Sequence, residues 1–91
     1  MKIIRPRNID SLNDNDMLYV SRSLINATVA HIVSNGMVTN KNMVLVQRMS
    51  EAVEQEYETK SIIPYIPMSV KEVKECFPNY VNLARGDFFK W

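Results

Sequence analysis

The sequence predicts a mainly α-helical fold: an antiparallel helical hairpin plus a short third helix, with short extended segments at the N-terminus and around 61–67. Three observations lead to this prediction. Two long stretches repeat apolar residues at helical spacing, a capping-box motif opens a third stretch, and the four prolines fall outside all three. A chain of 91 residues has room for one hydrophobic core, so we expect a single helical interaction domain over 1–91.

The first helix is predicted at about 15–35. Four residues of N-cap type, Asn13 to Asp16, precede it, and the acids among them suit the positive end of a helix dipole. Gly36 supplies a residue that commonly ends a helix. The apolar positions at helical spacing are Met17, Leu18, Leu24, Ile25, Val29, Ile32 and Val33.

The second helix is predicted at roughly 40–59, capped by Thr39 or Asn40. A connection of about four residues makes it the antiparallel neighbour of the first helix. Its other side is mostly polar and acidic, which indicates an amphipathic surface helix. Its apolar side consists of Met43, Leu45, Val46, Met49, Ala52, Val53 and Tyr57.

The elements predicted for the remainder of the chain are shorter. The two prolines of the segment 61–67 favour extended backbone, so we expect an edge strand or a strap across the hairpin. Ser69 and Glu72 match a capping box, which predicts a short helix ending before Pro78. A helical turn is predicted at 80–84.

The two ends of the chain differ in character. Residues 1–10 form a short basic arm in which Ile3 and Ile4 favour an edge strand before Pro6. Three of the last four residues are aromatic, and their side chains are expected either to fold back over the hairpin or to insert into a partner. These aromatic residues are Phe88, Phe89 and Trp91.

The first predicted helix carries a stripe of small residues where a solvated helix normally carries charge. Small side chains let a second backbone approach closely. We therefore expect this side to be covered by the third helix, by the C-terminal tail or by a second copy, and we predict a homodimer. The alternative is a plain polar face. The predicted oligomer interface is Ser23, Ala27, Ala30 and Ser34.

Catalytic, metal and cofactor sites are not expected. His31 and Cys76 are the only histidine and the only cysteine, whereas structural zinc needs four such ligands. No nucleophile with a supporting carboxylate can be assembled around His31 from the spacing. A net charge of +1 provides no field to attract nucleic acid or a membrane. With neither a signal-peptide pattern nor an apolar run of about 20 residues, a cytoplasmic location is expected.

These features predict a non-catalytic protein-binding module, acting as a homo-oligomer on a protein of unknown identity, in the manner of a small phage-type inhibitor of a host protein. The predicted partner-binding residues are the acidic Glu51, Glu54 and Glu58 and the C-terminal Phe88, Phe89 and Trp91. The alternative is a small DNA-binding regulator of helix-turn-helix type. Near-neutral charge and the scarcity of hydrogen-bond donors within 80–84 disfavour it.

Overall fold

The computed structural model describes residues 4–91, which form an α+β fold with a three-stranded antiparallel sheet. The prediction of a mainly α-helical hairpin is therefore wrong. The elements in chain order are α1 (Pro6–Asp10), β1 (Met17–Ser21), α2 (Arg22–Ser34), α3 (Met43–Thr59), β2 (Tyr65–Ser69), α4 (Val70–Cys76), α5 (Tyr80–Leu83) and β3 (Phe89–Lys90). The strands lie in the order β2-β1-β3.

The largest correction concerns the helix predicted at about 15–35, because its first part is the central strand β1. Leu18 and Val20 are fully buried and alternate with more exposed neighbours, which is the period of a strand with one face in the core. The preceding acidic cluster forms a turn instead of a helix cap. The Asp16 N–H donates to the Asn13 carbonyl at 3.0 Å, and the Asn13 N–H donates back to the Asp16 carboxylate at 2.9 Å.

The outer edge of β2 offers few backbone donors to a further strand. The Arg22 N–H donates to the Pro64 carbonyl at 2.9 Å, and the Val70 N–H donates to the Asp16 carbonyl at 2.8 Å. These two bonds set the pairing so that residues 65, 67 and 69 turn their backbone groups outward. Pro67 has no N–H to offer, and the Ser69 N–H is bonded to the Glu72 carboxylate at 3.0 Å. The extended segment predicted around 61–67 is thus an edge strand at Tyr65–Ser69.

The N-terminal segment covers the opposite edge of the sheet. The Ser21 N–H donates to the Phe88 carbonyl at 2.7 Å, so the backbone groups of Phe89 face away from β1. The Ile4 N–H donates to the Phe89 carbonyl at 3.1 Å. Part of the predicted N-terminal strand, Ile3, lies outside the described residues, and the rest of the predicted arm from Pro6 to Asp10 is the helix α1.

The core lies between one face of the sheet and the helices. The Phe77 and Phe89 rings pack edge to face with centroids 5.9 Å apart, which joins α4 to the last strand. The sheet contributes Leu18, Val20, Ile66, Met68 and Phe89, and the helices contribute Ile9, Ile25, Leu45, Ala52, Val70, Val73 and Cys76, with Phe77 directly after α4.

Three of the predicted helical segments are confirmed. The second long helix is α3, and its last residue is followed by Lys60 in the left-handed conformation with a φ of 57°. The capping box of α4 is complete: the Glu72 N–H donates to the Ser69 hydroxyl, and the Ser69 N–H donates to the Glu72 carboxylate. The predicted turn after Pro78 is α5. The connection from α2 to α3 is 35–42, which is longer than predicted.

Candidate protein-binding surface

The apolar side of α3 is wider than its contact with the core. Leu45 and Ala52 are buried, and Met49 is half-buried beside them. The other members of the predicted apolar side point into solvent, with exposed fractions of 46% for Met43, 39% for Val46, 47% for Val53 and 85% for Tyr57. With Ser50, which is also exposed, they follow one another at spacings of three and four residues. We call these five residues the α3 stripe.

Two ion pairs fix the rotation of α3 about its axis. Glu56 pairs with Arg22 at the start of α2, and Arg48 Nη2 lies 2.8 Å from Glu72 on α4. These side chains flank the buried row of Leu45 and Ala52, because Arg48 and Glu56 each lie four residues from Ala52. The α3 stripe is consequently held outward.

The same pairs shift the ionisation of the carboxylates. The hydrogen bond from Arg22 holds the pKa of the Glu56 carboxyl below its ordinary value, against a smaller opposing effect of burial. Burial raises the pKa of Glu72, but the hydrogen bonds from the Ser69 N–H and from Arg48 outweigh it, so the net pKa is lowered. Both carboxylates are therefore charged and paired at neutral pH.

The helix α2 presents the predicted oligomer interface to solvent. Ser23, Ala27, Ala30 and Ser34 are all exposed. Neither α4 nor the C-terminal tail covers them, which leaves two of the sequence-based interpretations: cover by a second molecule, or a plain polar face. The Ser34 hydroxyl donates to the Ala30 carbonyl at 2.7 Å, so burying this side would not leave that hydroxyl without a partner.

An exposed valine on α2 widens the apolar surface toward α3. Arg22 marks the side of α2 that faces α3, through its pair with Glu56. Val33 lies on that same side, because residues 22, 26, 29 and 33 line up along a helix. Val33 is 62% exposed. We define the α2–α3 face as the α3 stripe together with Ala30 and Val33; it contains no charged side chain.

Two of the predicted acidic residues, Glu54 and Glu58, border this face, whereas Glu51 lies beside Arg48 on the side of α3 toward β2. Glu51, Glu54 and Glu58 are exposed, and Glu51 accepts hydrogen bonds from Arg48. Glu54 and Glu58 line a shallow depression of about 350 Å³ together with Val53 and Tyr57. Carboxylates and apolar side chains are therefore mixed at one end of the face.

The aromatic tail divides between core and surface. Phe89 is fully buried in β3, and Phe88 is half-buried against the core. Trp91 is 59% exposed. Of the three predicted binding residues in the tail, only Trp91 is thus exposed enough to anchor a partner.

A larger cleft of about 450 Å³ lies between α2, the 37–42 segment and the α4–α5 region. His31, Lys41, Glu75 and Cys76 line it together with apolar side chains. Burial raises the pKa of the Cys76 thiol to about 11. The Cys76 Sγ lies 3.5 Å from the Lys41 carbonyl oxygen. This is a structural thiol, since thiolate is the reactive form. Within residues 4–91 no three His, Cys, Asp or Glu side chains are grouped as metal ligands would be.

The exposed α3 stripe was missed by the sequence interpretation, which assigned all seven apolar residues of α3 to one side and did not divide that side into a core-facing and an exposed part. The available signal was the width of that side, since a helix packed on a single core needs only part of it. Across the described part of the chain, the helices are too short or too polar to cross a membrane. No protein-family model, curated protein or solved structure matches this chain.

Proposed function

We propose that this protein is a non-catalytic protein-binding module and that the α2–α3 face is the surface with which it binds. The observation that carries the proposal is the α3 stripe: five neighbouring side chains without charge, four of them large and apolar, all exposed on one helix. Single exposed apolar residues are ordinary, whereas a continuous apolar patch is typical of a protein interface. Tyrosine is also among the residues that most often anchor such interfaces.

The free energy available from burying these side chains favours a contact that uses both α2 and α3. Covering the exposed part of a half-buried valine or methionine contributes about 1 kcal/mol, because full burial contributes about 1.5–3 kcal/mol. Association costs at least about 4 kcal/mol in lost freedom of motion. The α3 stripe alone would barely offset this cost, so Ala30 and Val33 of α2 are proposed to belong to the same interface.

The charges around the face indicate the chemistry of the partner. Glu54 and Glu58 border its Tyr57 end, so a bound surface there should offer an apolar strip with at least one basic side chain. We place this interaction in a reducing compartment such as the cytosol, which suits a single buried thiol.

The DNA-binding alternative receives no comparable support. The element that would serve as its recognition helix, α5, is four residues long, which is about one turn. A recognition helix enters the major groove with several residues along its length. We do not propose it further.

Substituting Val53→Glu should abolish binding while preserving the fold, because the side chain is already about half exposed. Tagged wild-type and variant proteins would be treated with an amine cross-linker in native lysate and then captured, and the covalent products compared. We expect the products of the wild type to fall at least about tenfold with the variant, since a buried unpaired charge costs more than about 1.4 kcal/mol.

The matched control is Val81→Glu, the same substitution at a valine of similar exposure on α5 (42% against 47%). It should leave the products unchanged. Circular dichroism melting of both variants confirms folding. Equal products from wild type, Val53→Glu and Val81→Glu would contradict the proposal.

A further inference from the structure

We infer that the partner of the α3 stripe is a second copy of this chain, with the two α3 helices antiparallel about a two-fold axis that passes near Ser50. The inference rests on the proposed function and specifies its partner. It moves the axis of the predicted homodimer from the small residues of α2 to the centre of α3.

The spacing of the α3 stripe is that of a helix–helix seam. Its members lie three, four, three and four residues apart, from Met43 to Tyr57. An average of 3.5 residues keeps one line of side chains facing a second helix along its length. The core of the chain is served by the separate row through Leu45 and Ala52. α3 thus has one seam for its own domain and a second seam with no cover inside the described chain.

The seam is complementary to itself when reversed. Val46 and Val53 lie four and three residues on either side of Ser50, and Met43 and Tyr57 each lie seven residues away. In an antiparallel pair centred on Ser50, each Val46 therefore faces Val53 of the second copy, and each Met43 faces Tyr57. The smallest side chain lies on the axis, where the two backbones come closest. Such self-complementarity is what a two-fold interface requires.

The charges on α3 favour the antiparallel orientation over the parallel one. Glu54 and Glu58 border the C-terminal half of the stripe. A parallel pair would place the acidic residues of both copies side by side. The antiparallel pair places them against the N-terminal half of the second copy, which has no acidic residue between 41 and 50, and it also opposes the helix dipoles.

The available area limits the strength of the pair. The 17-residue helix α3 is about 25 Å long, and α2 and α3 of one copy, side by side, are about 20 Å wide. The buried area is then roughly 500 Å² on each copy, or about 1,000 Å² in total, which is close to the lower limit for a specific interface. The dimer should consequently be reversible and concentration-dependent.

The test is a cysteine scan with diamide as the oxidant. S50C places a thiol on the proposed axis, so the variant should form a disulfide-linked dimer at least about tenfold faster than a variant with the thiol elsewhere, because effective concentration is high only at the axis. S61C, at an exposed position beyond α3, is the matched control, and S34C reports on the small-residue side of α2. Wild type controls for Cys76, which is buried. Equal rates, or a faster reaction of S34C, would overturn the inference.

Sedimentation equilibrium provides a second readout that needs no thiol. Val53→Glu should abolish self-association, and Val81→Glu should leave it unchanged. Self-association that survives Val53→Glu would overturn the pairing through α3. A monomeric wild type at high concentration would overturn self-pairing, while cross-linked products lost in Val53→Glu would still support the proposed function. If neither self-association nor cross-linked products that depend on Val53 were observed, both this inference and the proposed function would be wrong.

Discussion

Phe89→Ala is expected to lower the free energy of unfolding by about 3–5 kcal/mol, the usual cost of emptying a buried aromatic site. Phe89 is fully buried, its ring packs edge to face on Phe77, and its strand pairs with β1 on one side while accepting the Ile4 N–H on the other. A domain of this size has roughly 5–15 kcal/mol of total stability. Losing a third or more should lower the melting temperature by over about 10 °C.

Urea and thermal denaturation followed by circular dichroism measure this effect. Trp91→Ala is the control, since that ring is more than half exposed and belongs to the same tail; its effect should stay within about 0.5 kcal/mol. If Phe89→Ala and Trp91→Ala proved equally mild, the tail would not be part of the core.

Glu72→Ala is expected to cost about 2–3 kcal/mol, because the carboxylate accepts two charge-assisted hydrogen bonds at once. It completes the capping box of α4 by accepting the Ser69 N–H, and it pairs with Arg48 at 2.8 Å. Its loss would leave the Arg48 guanidinium in a partly buried position with only Glu51 as a partner. Glu75→Ala, at an exposed position on the same helix, should be nearly neutral.

The same site makes the stability depend on pH. The folded-state pKa of Glu72 is lowered, so its contribution is present above the ordinary value of 4.5 and is lost as the pH falls through the lower, folded-state value. Wild type should therefore lose stability on acidification in this range, and Glu72→Ala should lose less. Urea midpoints measured from neutral to acidic pH test this, and parallel curves for the two proteins would contradict it.

The helices α3, α4 and α5 could be predicted from the sequence, but the sheet could not. Met17 to Ser21 continue without a loop into α2, so Leu18 fits the helical spacing of the later residues, while Leu18 and Val20 together also fit the two-residue period of a strand. Only pairing with two partner strands decides between the two periods. One partner, β3, is two residues long, too short to give a pattern of its own.

The exposed half of α3 could not be predicted from the sequence for a related reason. The sequence indicates how wide the apolar side of α3 is, but which half enters the core depends on distant partners. Arg22 lies 34 residues from Glu56, and Glu72 lies 24 residues from Arg48. Neither pair has a local spacing from which it could be recognised, and together they turn Val46 and Val53 outward.

Hydroxyl-radical footprinting tests most directly whether a protein covers the α2–α3 face. The tagged chain would be captured from native lysate without dilution, oxidised, and analysed by mass spectrometry, with Ile62, which is 77% exposed and is not a member of the defined face, as the internal reference. Tyr57 is 85% exposed in the free chain. We predict that Tyr57 is protected in the captured wild type and reactive in captured Val53→Glu. Equal reactivity of Tyr57 in both would contradict the account.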